Sequence, residues 1–351
     1  MKIAIPHSKP TIDSTDVKTV AAVIKSGYLT QGVKVAEFEK KLARYIGVRG
    51  AVTVSSGTAA LHLALLTLEI KKGDEVIAPT YVCTAILNAI NYTGARIRLV
   101  DVNPEDGNIS VKEVKKKITR KTKAIIVPHM FGMPADIYEL VKLGIPIIED
   151  CAQAIGATYK NKKVGNFGVL SIFSFYATKM LTTGEGGAVV SNNLSLLNKI
   201  KDLREYDHKN DYQIRFNYKM TDIQAVLGIN QLAKLKTFIA KRRKIAAQYN
   251  KELSHCDFEL PVTRKDKKGV CFRYVIKVKR GQSRYFKYFK REGIICARPL
   301  YKPLHRYLRL KGFPVAERLT KESISIPIYP SLTSSQVASI IQKTKGLSQV
   351  R

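Results

Sequence analysis

One lysine in a glycine-rich segment is the residue best suited to covalent chemistry. The segment SFYATKMLTTGEGG (174–187) places Lys179 between a serine-aromatic strand end and a loop with two threonines and three glycines. A lysine that forms a Schiff base must be partly desolvated, so that its amine is neutral and correctly aimed. Glycines allow the close backbone packing that this requires. The combination therefore indicates a Schiff-base lysine at position 179.

An aspartate closes a strand that begins with apolar residues. In IPIIEDCAQA (145–154), Asp150 stands at the end of this run. Ligands of open α/β sheets bind at the carboxyl ends of strands. Burial there raises the pKa of a carboxyl group, so an ionised Asp150 needs a cationic partner. A protonated pyridine nitrogen is such a partner, and the pairing makes the ring an electron sink. An ordinary helix-capping aspartate is the alternative interpretation.

A possible phosphate site follows the first strand. SSGTAALHLAL (55–65) places two serines, a Gly-Thr pair and an Ala/Leu-rich helix in immediate succession. A helix N-terminus offers unpaired N–H groups and a positive dipole end, and glycine lets an anion approach closely. Gly57 and Thr58 are therefore candidates for holding a phosphate. An ordinary capped helix start explains the same residues equally well.

These candidates need a scaffold, and the hydrophobic pattern predicts one. The predicted strands are AVTV (51–54), EVIAP (75–79), ARIRLVDV (95–102), KAIIVPH (123–129) and IPIIED (145–150). Stretches with helical spacing lie between them, as in Leu61, Leu65 and Leu68 after the first strand. Strands that alternate with helices imply a mainly parallel sheet covered on both faces. The fold class is therefore predicted to be α/β.

One connection departs from this pattern. VLSIFSFY (169–176) and GAVVSN (187–192) are both predicted strands, and only ten residues separate them. A parallel crossover needs about a dozen or more residues, usually including a helix. The two strands are therefore expected to be antiparallel, with Lys179 in the tight loop that joins them.

The character of the chain changes after residue 220. The stretch from Met220 to Leu253 is predicted to be one long helix that leads out of the large domain. Beyond residue 255 come a strand-like run, RYVIKV (273–278), and a closing helix, SSQVASIIQKTK (334–345). We expect a large domain over residues 1–240 and a smaller α+β C-terminal domain over residues 241–351.

The net charge of +32 is the most unusual bulk property. It is compatible with nucleic acid, an anionic membrane or a polyphosphate substrate as partner. The basic residues are nevertheless spread along the chain. The densest runs, KEVKKKITRKTK (112–123) and RKDKK (264–268), are expected to be solvated helix faces or turns. We therefore expect a generally basic surface and regard nucleic acid binding as unlikely.

Several other classes of protein are disfavoured. The five cysteines form no CxxC pair and no cluster with histidine, so neither a disulfide framework nor a metal site is expected. No apolar run approaches the roughly 18 residues that cross a bilayer. The first residues also lack the apolar stretch of a signal peptide. A cytoplasmic location without membrane attachment is the resulting expectation.

Motifs along nearly the whole chain resemble those of the DegT/DnrJ/EryC1/StrS family of sugar aminotransferases. They are LTQG (29–32), SSGTAAL (55–61), EDCAQA (149–154), FSFYATKMLTTGEGG (173–187), FNYKMTDIQA (216–225), RPLYKPLH (298–305) and IPIYPSLT (326–333). The resemblance implies the fold type I architecture of enzymes that depend on pyridoxal 5′-phosphate (PLP). PLP is therefore the expected cofactor.

The resemblance also implies roles for residues around the cofactor. Lys179 would carry PLP as a Schiff base and act as the general acid/base of the proton transfer. Asp150 would pair with the pyridine nitrogen, and Gln153 would contact the ring hydroxyl. The phosphate would be bound by Gly57, Thr58 and Ser174.

Further residues are implied for the partner subunit and the substrate. Asn217 would reach the cofactor phosphate of the neighbouring subunit, which makes the active sites shared features of a homodimer. Arg298, Tyr301 and His305 match family positions near the nucleotide and phosphates of the substrate. An Arg-Pro turn and a capping histidine are adequate structural explanations of Arg298 and His305.

Two positions depart from the family pattern. Many members carry an aromatic residue four positions after the proline of the second strand, stacked on the cofactor ring. Here Cys83 stands four positions after Pro79. Strand alternation is expected to point Tyr81 to the same face as Cys83 without placing it over the ring, and both remain candidate cofactor contacts. Leu300 stands where the family often has a histidine, which leaves sugar or nucleotide recognition open.

The predicted function is transfer of an amino group, expected to come from L-glutamate, onto a keto-sugar nucleotide in amino-sugar biosynthesis. The family also contains dehydratases in which histidine replaces the lysine, and Lys179 favours amine transfer over that alternative. A basic nucleic-acid-binding or regulatory protein built on a retired enzyme fold is the other alternative. His129, which follows a strand, is expected to be a packed strand-end residue rather than a substrate contact.

Overall fold

Strands and helices alternate through the part of the chain that the computed structural model describes, residues 4–278 and 282–349. The strands are β1 (Gly50–Val54), β2 (Glu75–Pro79), β3 (Arg96–Val100), β4 (Thr122–Pro128), β5 (Ile147–Asp150), β6 (Thr158–Tyr159), β7 (Lys162–Lys163), β8 (Leu170–Ser174), β9 (Gly187–Ser191), β10 (Phe258–Glu259), β11 (Lys267–Lys268), β12 (Tyr274–Val278) and β13 (Ser323–Ile326). The helices are α1 (Ser14–Ser26), α2 (Val33–Ile46), α3 (Gly57–Thr67), α4 (Thr84–Tyr92), α5 (Val111–Lys117), α6 (Ile137–Val141), α7 (Leu194–Leu203), α8 (Asp222–Leu253), α9 (Gln282–Arg291), α10 (Leu304–Tyr307), α11 (Pro314–Glu322) and α12 (Ser334–Lys345).

Seven strands form the large sheet, in the order β1-β9-β8-β5-β4-β2-β3. Strands β8, β5, β4, β2 and β3 pair in parallel. Strand β9 is antiparallel to both of its neighbours, β1 and β8. The predicted α/β fold with a mainly parallel sheet is confirmed, and so is the antiparallel pair that flanks Lys179. The five strands predicted before residue 151 agree with the structure to within two residues at each end.

Both faces of the large sheet are covered because its strands are apolar on both sides. All five residues of β2 are buried. Val76 and Ala78 pack on one face with residues of α3 and α4, while Ile77 packs on the other face with residues of α5 and α6. This alternation follows from the two-residue period of a strand, and burial on both faces is typical of parallel sheets.

Helix α8 connects the large sheet to the C-terminal part of the chain. It begins at a capping box in which Thr221 and Gln224 each bond the other's backbone N–H. Its later turns pack on a three-stranded sheet in the order β10-β12-β13. Residue 240, where the large domain was expected to end, lies within this helix. The division into two domains stays a prediction. Across the described residues, no helix combines the length and apolarity needed to cross a bilayer.

The two densest basic segments differ in their environment. Helix α5 exposes the lysines of its last turn to solvent, as predicted. In the segment 264–268, however, Lys267 is 3% exposed and lies 2.9 Å from a carboxylate oxygen of Asp136. The prediction that this segment is only a solvated turn is wrong for Lys267, because strand β11 pairs with β6 and draws the side chain inward.

Candidate active site

The carboxyl edge of the parallel sheet brings the first two candidate residues together. Asp150 is the last residue of β5, and Ser174 is the last residue of the neighbouring parallel strand β8. Their strands run side by side because both are rich in buried apolar residues. Two residues that are 24 positions apart in the sequence therefore lie at one edge, where ligands of such sheets bind.

Asp150 is a buried carboxylate with little support from the protein. It is 8% exposed, and its Oδ1 accepts one hydrogen bond from the N–H of Ala152 at 3.0 Å. No cation among the described residues forms an ion pair with it. Burial raises the pKa of Asp150, while the Ala152 N–H and the charge of Lys179 act in the opposite direction. The sequence-based expectation of a carboxyl with a raised pKa is confirmed, and an acceptor oxygen is left for a ligand.

Lys179 lies in the loop between β8 and β9, as predicted. The loop is closed by hydrogen bonds from Phe175 N to Gly186 O and from Thr183 N to Phe175 O, both 2.9 Å long. The Nζ atom lies 5.4 Å from the centre of the Phe272 ring. Burial lowers the pKa of Lys179, and the charges of Cys83 and Asp150 partly oppose this shift. A larger fraction of the amine is therefore neutral than in an exposed lysine.

A close packing of three backbone segments forms the candidate phosphate site. A Cβ atom at Gly57 would lie 2.8 Å from the Cβ of Ser174, and one at Gly187 would overlap the carbonyl oxygen of Ser56. Only glycine fits at these two positions. Gly57 and Thr58 form the first turn of α3, which Ser56 caps through the N–H of Ala59. The helix start, with its free N–H groups, is thereby brought against the Ser174 hydroxyl.

Gln153 orients a strained loop beside the site. Its Oε1 accepts a hydrogen bond from the N–H of Phe131 at 2.9 Å. Phe131 has a φ of 57°, which a residue with a side chain adopts at a cost in free energy. This contact uses the carbonyl oxygen of Gln153 and leaves its NH₂ group as a donor. A ring hydroxyl of a cofactor is an acceptor of the kind that this donor suits.

The structure separates Cys83 from Tyr81. Cys83 precedes α4 and is exposed, and its thiol lies near enough to Asp150 and Lys179 for both charges to act on it. Desolvation by neighbouring protein atoms, together with the charge of Asp150, raises the pKa of the thiol. Tyr81 is 1% exposed, and its ring meets that of Phe131 edge-on with centroids 6.3 Å apart. Burial raises the pKa of Tyr81 to about 12.

The expectation that strand alternation governs Tyr81 is wrong. Strand β2 ends at Pro79, and residues 80–83 form a turn before α4. Cys83 therefore faces the lysine, whereas Tyr81 is part of a cavity wall.

Comparison with known sequences identifies the family to which this site belongs. The profile of the DegT/DnrJ/EryC1/StrS aminotransferase family matches residues 10–345. The chain belongs to this family. GDP-perosamine synthase of Escherichia coli O157:H7 is 36% identical over 359 residues, which cover 96% of this chain and 97% of that protein. UDP-4-amino-4,6-dideoxy-N-acetyl-beta-L-altrosamine transaminase of Campylobacter jejuni strain 81-176 is 38% identical over 279 residues, with 75% and 73% of the two chains covered.

Solved structures agree with this assignment. A Streptococcus pneumoniae protein described as a sugar aminotransferase, solved in its PLP form, superposes with a TM-score of 0.93 at 26% identity and 99% coverage of both chains. A Helicobacter pylori aminotransferase involved in the biosynthesis of pseudoaminic acid gives a TM-score of 0.90 at 28% identity, again with 99% coverage of both chains. The predicted family, its fold and its cofactor, PLP, are confirmed. The relatives favour a sugar aminotransferase over the dehydratase and the nucleic-acid-binding alternatives.

Asn217 lies at the outer surface of the aminotransferase. Its segment is fixed by hydrogen bonds from Phe216 N to Leu203 O and from Tyr218 N to Arg204 O. The rings of Phe216 and Tyr218 stack with centroids 4.9 Å apart, while Asn217 between them is exposed. The backbone on both sides of Asn217 is thus fixed, and the Asn217 side chain is exposed at the surface.

The three predicted substrate residues of the aminotransferase have different environments. Tyr301 is 80% exposed, and Arg298 is exposed with its Nε donating to Gln282 Oε1 at 3.1 Å. His305 is 3% exposed. Its Nδ1 lies 2.8 Å from Thr80 Oγ1, and its Nε2 lies 2.8 Å from Glu317 Oε1. Neither nitrogen is free to bind a ligand, so the structure corrects the expectation that His305 contacts the substrate.

His129 is a packed histidine in the aminotransferase, as predicted. Its Nδ1 accepts from Ala135 N at 3.0 Å, and its Nε2 bonds Glu149 at 3.1 Å. Glu149 in turn accepts hydrogen bonds from Gly165 N, at 2.9 Å, and from other N–H groups of the following turn. The donor atoms of His129, Glu149 and Cys151 lie within 4.8 Å of one another. Hydrogen bonds within the protein already occupy the donor atoms of His129 and Glu149.

Sequence reasoning missed two residues of the lysine's surroundings, Phe272 and Arg273. Arg273 acts on Lys179 electrostatically and lowers the pKa of its amine further. Both residues immediately precede β12, which belongs to the C-terminal sheet. Their only signal in the sequence is a strand-like pattern, so no motif could have placed them beside a lysine almost one hundred positions earlier.

Proposed function

We propose that this aminotransferase moves an amino group from L-glutamate onto the keto carbon of a nucleotide-linked sugar. The observation that carries the proposal is the proximity of Asp150 and Lys179 at the sheet edge, where the charge of each acts on the other. A buried carboxylate without a protein cation and a lysine with a lowered pKa together suit a cationic aromatic ring attached through the lysine. Family membership supports the same chemistry.

The residues present fit PLP. Asp150 would hold the protonated pyridine nitrogen, and the free NH₂ of Gln153 would donate to the ring hydroxyl. The phosphate would lie where Gly57, Thr58 and Ser174 meet. When bound, PLP supplies an electron sink that lowers the barrier to removing a proton from the carbon that bears the amino group.

The protein's part in the reaction is to move a proton. The Nζ of Lys179 would take the proton from the substrate carbon that bears the amino group and deliver it to a second carbon on the same face, which is general acid/base catalysis by one group. The lowered pKa of Lys179, caused mainly by burial, favours the neutral amine that this role requires. Phe272 and Cys83 both lie near this amine, and Cys83 would lie beside the ring where many members of the family have an aromatic residue.

A nucleotide-linked sugar as acceptor is supported by the relatives, whose names include GDP- and UDP-linked amino sugars. Arg298 and Tyr301 are exposed and available to a large polar substrate. We therefore keep both as proposed nucleotide or phosphate contacts and remove His305 from that role.

A homodimer is proposed for the assembled enzyme. Exposed apolar side chains cluster in sequence around the N-terminal and Asn217 segments. They include Tyr28, Val33, Tyr212 and Ile214, which are 81%, 76%, 96% and 73% exposed. Large exposed apolar groups of this kind favour contact with another protein surface. Asn217 would then reach the phosphate site of the partner subunit.

The test is the absorbance spectrum of the purified protein with PLP, before and after addition of L-glutamate. Replacement of the lysine-bound band by the spectrum of the amino form establishes the first half-reaction. Keto-sugar nucleotides are then added, and nitrogen on the sugar is detected by mass spectrometry. A lysine-bound band that does not respond to glutamate, together with a deoxygenated but nitrogen-free sugar product, contradicts the proposal.

A further inference from the structure

Arg273 is a partly enclosed cation that has no acidic partner in the described part of the chain. Its Nη1 donates to His7 Nε2 at 3.3 Å. Burial lowers the pKa of His7 to about 4, with the charge of Arg273 a smaller cause, so His7 is neutral at pH 7. Two other arginines in the interior bond to more acceptors within the chain. Arg204 pairs with Glu39 at 2.8 Å, and Arg242 donates to three backbone carbonyls.

Arg273 lines two cavities, and the smaller of them lies beside the lysine. The larger, of about 110 Å³, is also lined by Tyr81 and Phe131 and by the acidic residues Glu105 and Asp106, which disfavour an anion there. The smaller, of about 40 Å³, is also lined by His7 and by Thr178, the neighbour of Lys179. Since an arginine has five N–H donors and one is used by His7, the others are available to a ligand in these spaces.

The backbone holds this arginine in a fixed position. Arg273 N donates to Phe131 O at 3.4 Å, and the carbonyl of Phe272 accepts from Arg242 at 3.2 Å. The guanidinium also lies 5.5 Å from the centre of the Phe272 ring. A charge fixed in this way suits recognition of a planar anion, because little conformational freedom is lost on binding.

We propose that Arg273 binds the carboxylate of the amino donor and thereby positions the donor at Lys179. This inference rests on the proposed function and deepens it. In an amino acid the carboxylate is bonded directly to the carbon that gives up the amino group. In a nucleotide-linked sugar a ring separates the keto carbon from the diphosphate. A guanidinium close to the reactive lysine therefore fits the donor carboxylate, which it can bind through two parallel hydrogen bonds.

The size of the spaces favours the same ligand. Sites for drug-sized ligands have volumes of about 300–1,000 Å³. The cavity that Arg273 shares with Thr178, of about 40 Å³, suits a small carboxylic acid better than a nucleotide.

The experiment compares the wild type with Arg273→Met and Arg273→Lys, each loaded with PLP. The matched control is Arg291→Met, which removes one positive charge from an exposed helix position. The donor half-reaction is titrated with L-glutamate and followed by absorbance. Binding of glutarate to the cofactor-free protein and binding of GDP and UDP to the loaded protein are measured by calorimetry.

Arg273→Met is expected to lower the affinity for L-glutamate and for glutarate by about 10- to 100-fold, because charge-assisted hydrogen bonds are lost. The affinities of Arg273→Lys for both ligands should lie between those of Arg273→Met and the wild type. Lysine keeps the positive charge but cannot form the two parallel hydrogen bonds of a guanidinium. Both Arg273 variants should bind GDP and UDP with the affinity of the wild type. The control, Arg291→Met, should match the wild type in every measurement. Unchanged affinity for glutamate and glutarate in Arg273→Met overturns the inference, and so does a selective loss of GDP or UDP binding.

Failure of the proposed function gives a different result. If wild-type protein retains the lysine-bound band but does not react with glutamate, the donor assignment fails. Glutarate binding still tests Arg273 in that case, since it needs no turnover. Arg273→Lys provides the comparison if Arg273→Met does not fold, as judged by its thermal melting curve.

Discussion

The carboxyl edge of the large sheet and the segment 298–305 both match family motifs, yet their polar groups have different surroundings. At the sheet edge Asp150 is buried with a single N–H donor, and Lys179 has a lowered pKa. In the segment 298–305 the buried polar group is His305, and both of its ring nitrogens have partners.

This difference separates binding groups from structural ones. A buried polar group without a partner costs about 1–3 kcal/mol. Its presence is explained when a ligand supplies the missing contact. A group whose partners all come from its own chain contributes to stability and needs no ligand. The two regions therefore respond to substitution in opposite ways, with catalysis lost at one and stability lost at the other.

Lys179→Ala tests the sheet edge with the largest expected effect. Turnover should fall by at least about 10³-fold, since the general acid/base and the point of cofactor attachment are both lost. The lysine-bound absorbance band should disappear, while the melting temperature of the cofactor-free protein changes little. Measurable transamination at the wild-type rate would place the proton transfer on another residue.

Asp150→Asn should lower kcat by about 10²- to 10³-fold, because a neutral amide cannot keep the ring nitrogen protonated. The amide oxygen can still accept from Ala152 N, so the fold is preserved. The free energy of unfolding of the cofactor-free variant should equal or exceed that of the wild type, since a desolvated carboxyl is removed. A large loss of stability in urea titrations would instead indicate a structural role.

His305→Ala should lower the free energy of unfolding by about 2–4 kcal/mol, because Thr80 and Glu317 lose a buried partner and a cavity opens beside Phe313. The KM for the sugar nucleotide should stay within about twofold of the wild type. The matched comparison is Tyr301→Ala, at an exposed position of the same segment. It should raise this KM without loss of stability, and the reverse pattern would restore His305 as a substrate contact.

Glu317→Gln has the smallest expected effect, which depends on pH. The hydrogen bond from Arg306 is the main cause that lowers the pKa of Glu317 from 4.5 to about 2. A carboxyl with a lowered pKa stabilises the fold above its ordinary pKa, and this contribution is lost as the pH falls toward 2. The variant should therefore be less stable than the wild type at pH 7, and the gap should close between pH 4.5 and 2. Urea titrations of both proteins across this pH range measure the difference in their free energies of unfolding.

The scaffold and the lysine–aspartate pair could be predicted because their signals are local. Apolar runs of strand length and a ten-residue connection are visible in the sequence, and they fix where Lys179 and Asp150 lie. Tyr81 was misplaced because strand alternation was extended past the correctly predicted end of β2 at Pro79, into a turn over residues 80–83 whose path depends on tertiary packing. His305 was misjudged for a similar reason, because its partner Thr80 is 225 positions away.

Arg273 and Phe272 lay outside the reach of sequence reasoning altogether. Each comes from the C-terminal part of the chain and meets the lysine through tertiary packing. An arginine beside a strand is most often a surface residue. What distinguishes it is its position on the wall of a cavity that also reaches Thr178, the neighbour of Lys179, and the sequence alone does not show such a position. The individual roles of the other cofactor and substrate residues stay predictions.

Arg242 in α8 donates to the main-chain carbonyls of Cys271, Phe272 and Ile328. These bonds do not depend on which side chains the accepting residues carry. The side chain at position 273 can therefore be substituted while the backbone of residues 271–273, which lies beside the lysine, keeps its path. In evolutionary terms, the preference for an amino donor can drift by single substitutions at this wall, independently of the strand ends that hold the cofactor.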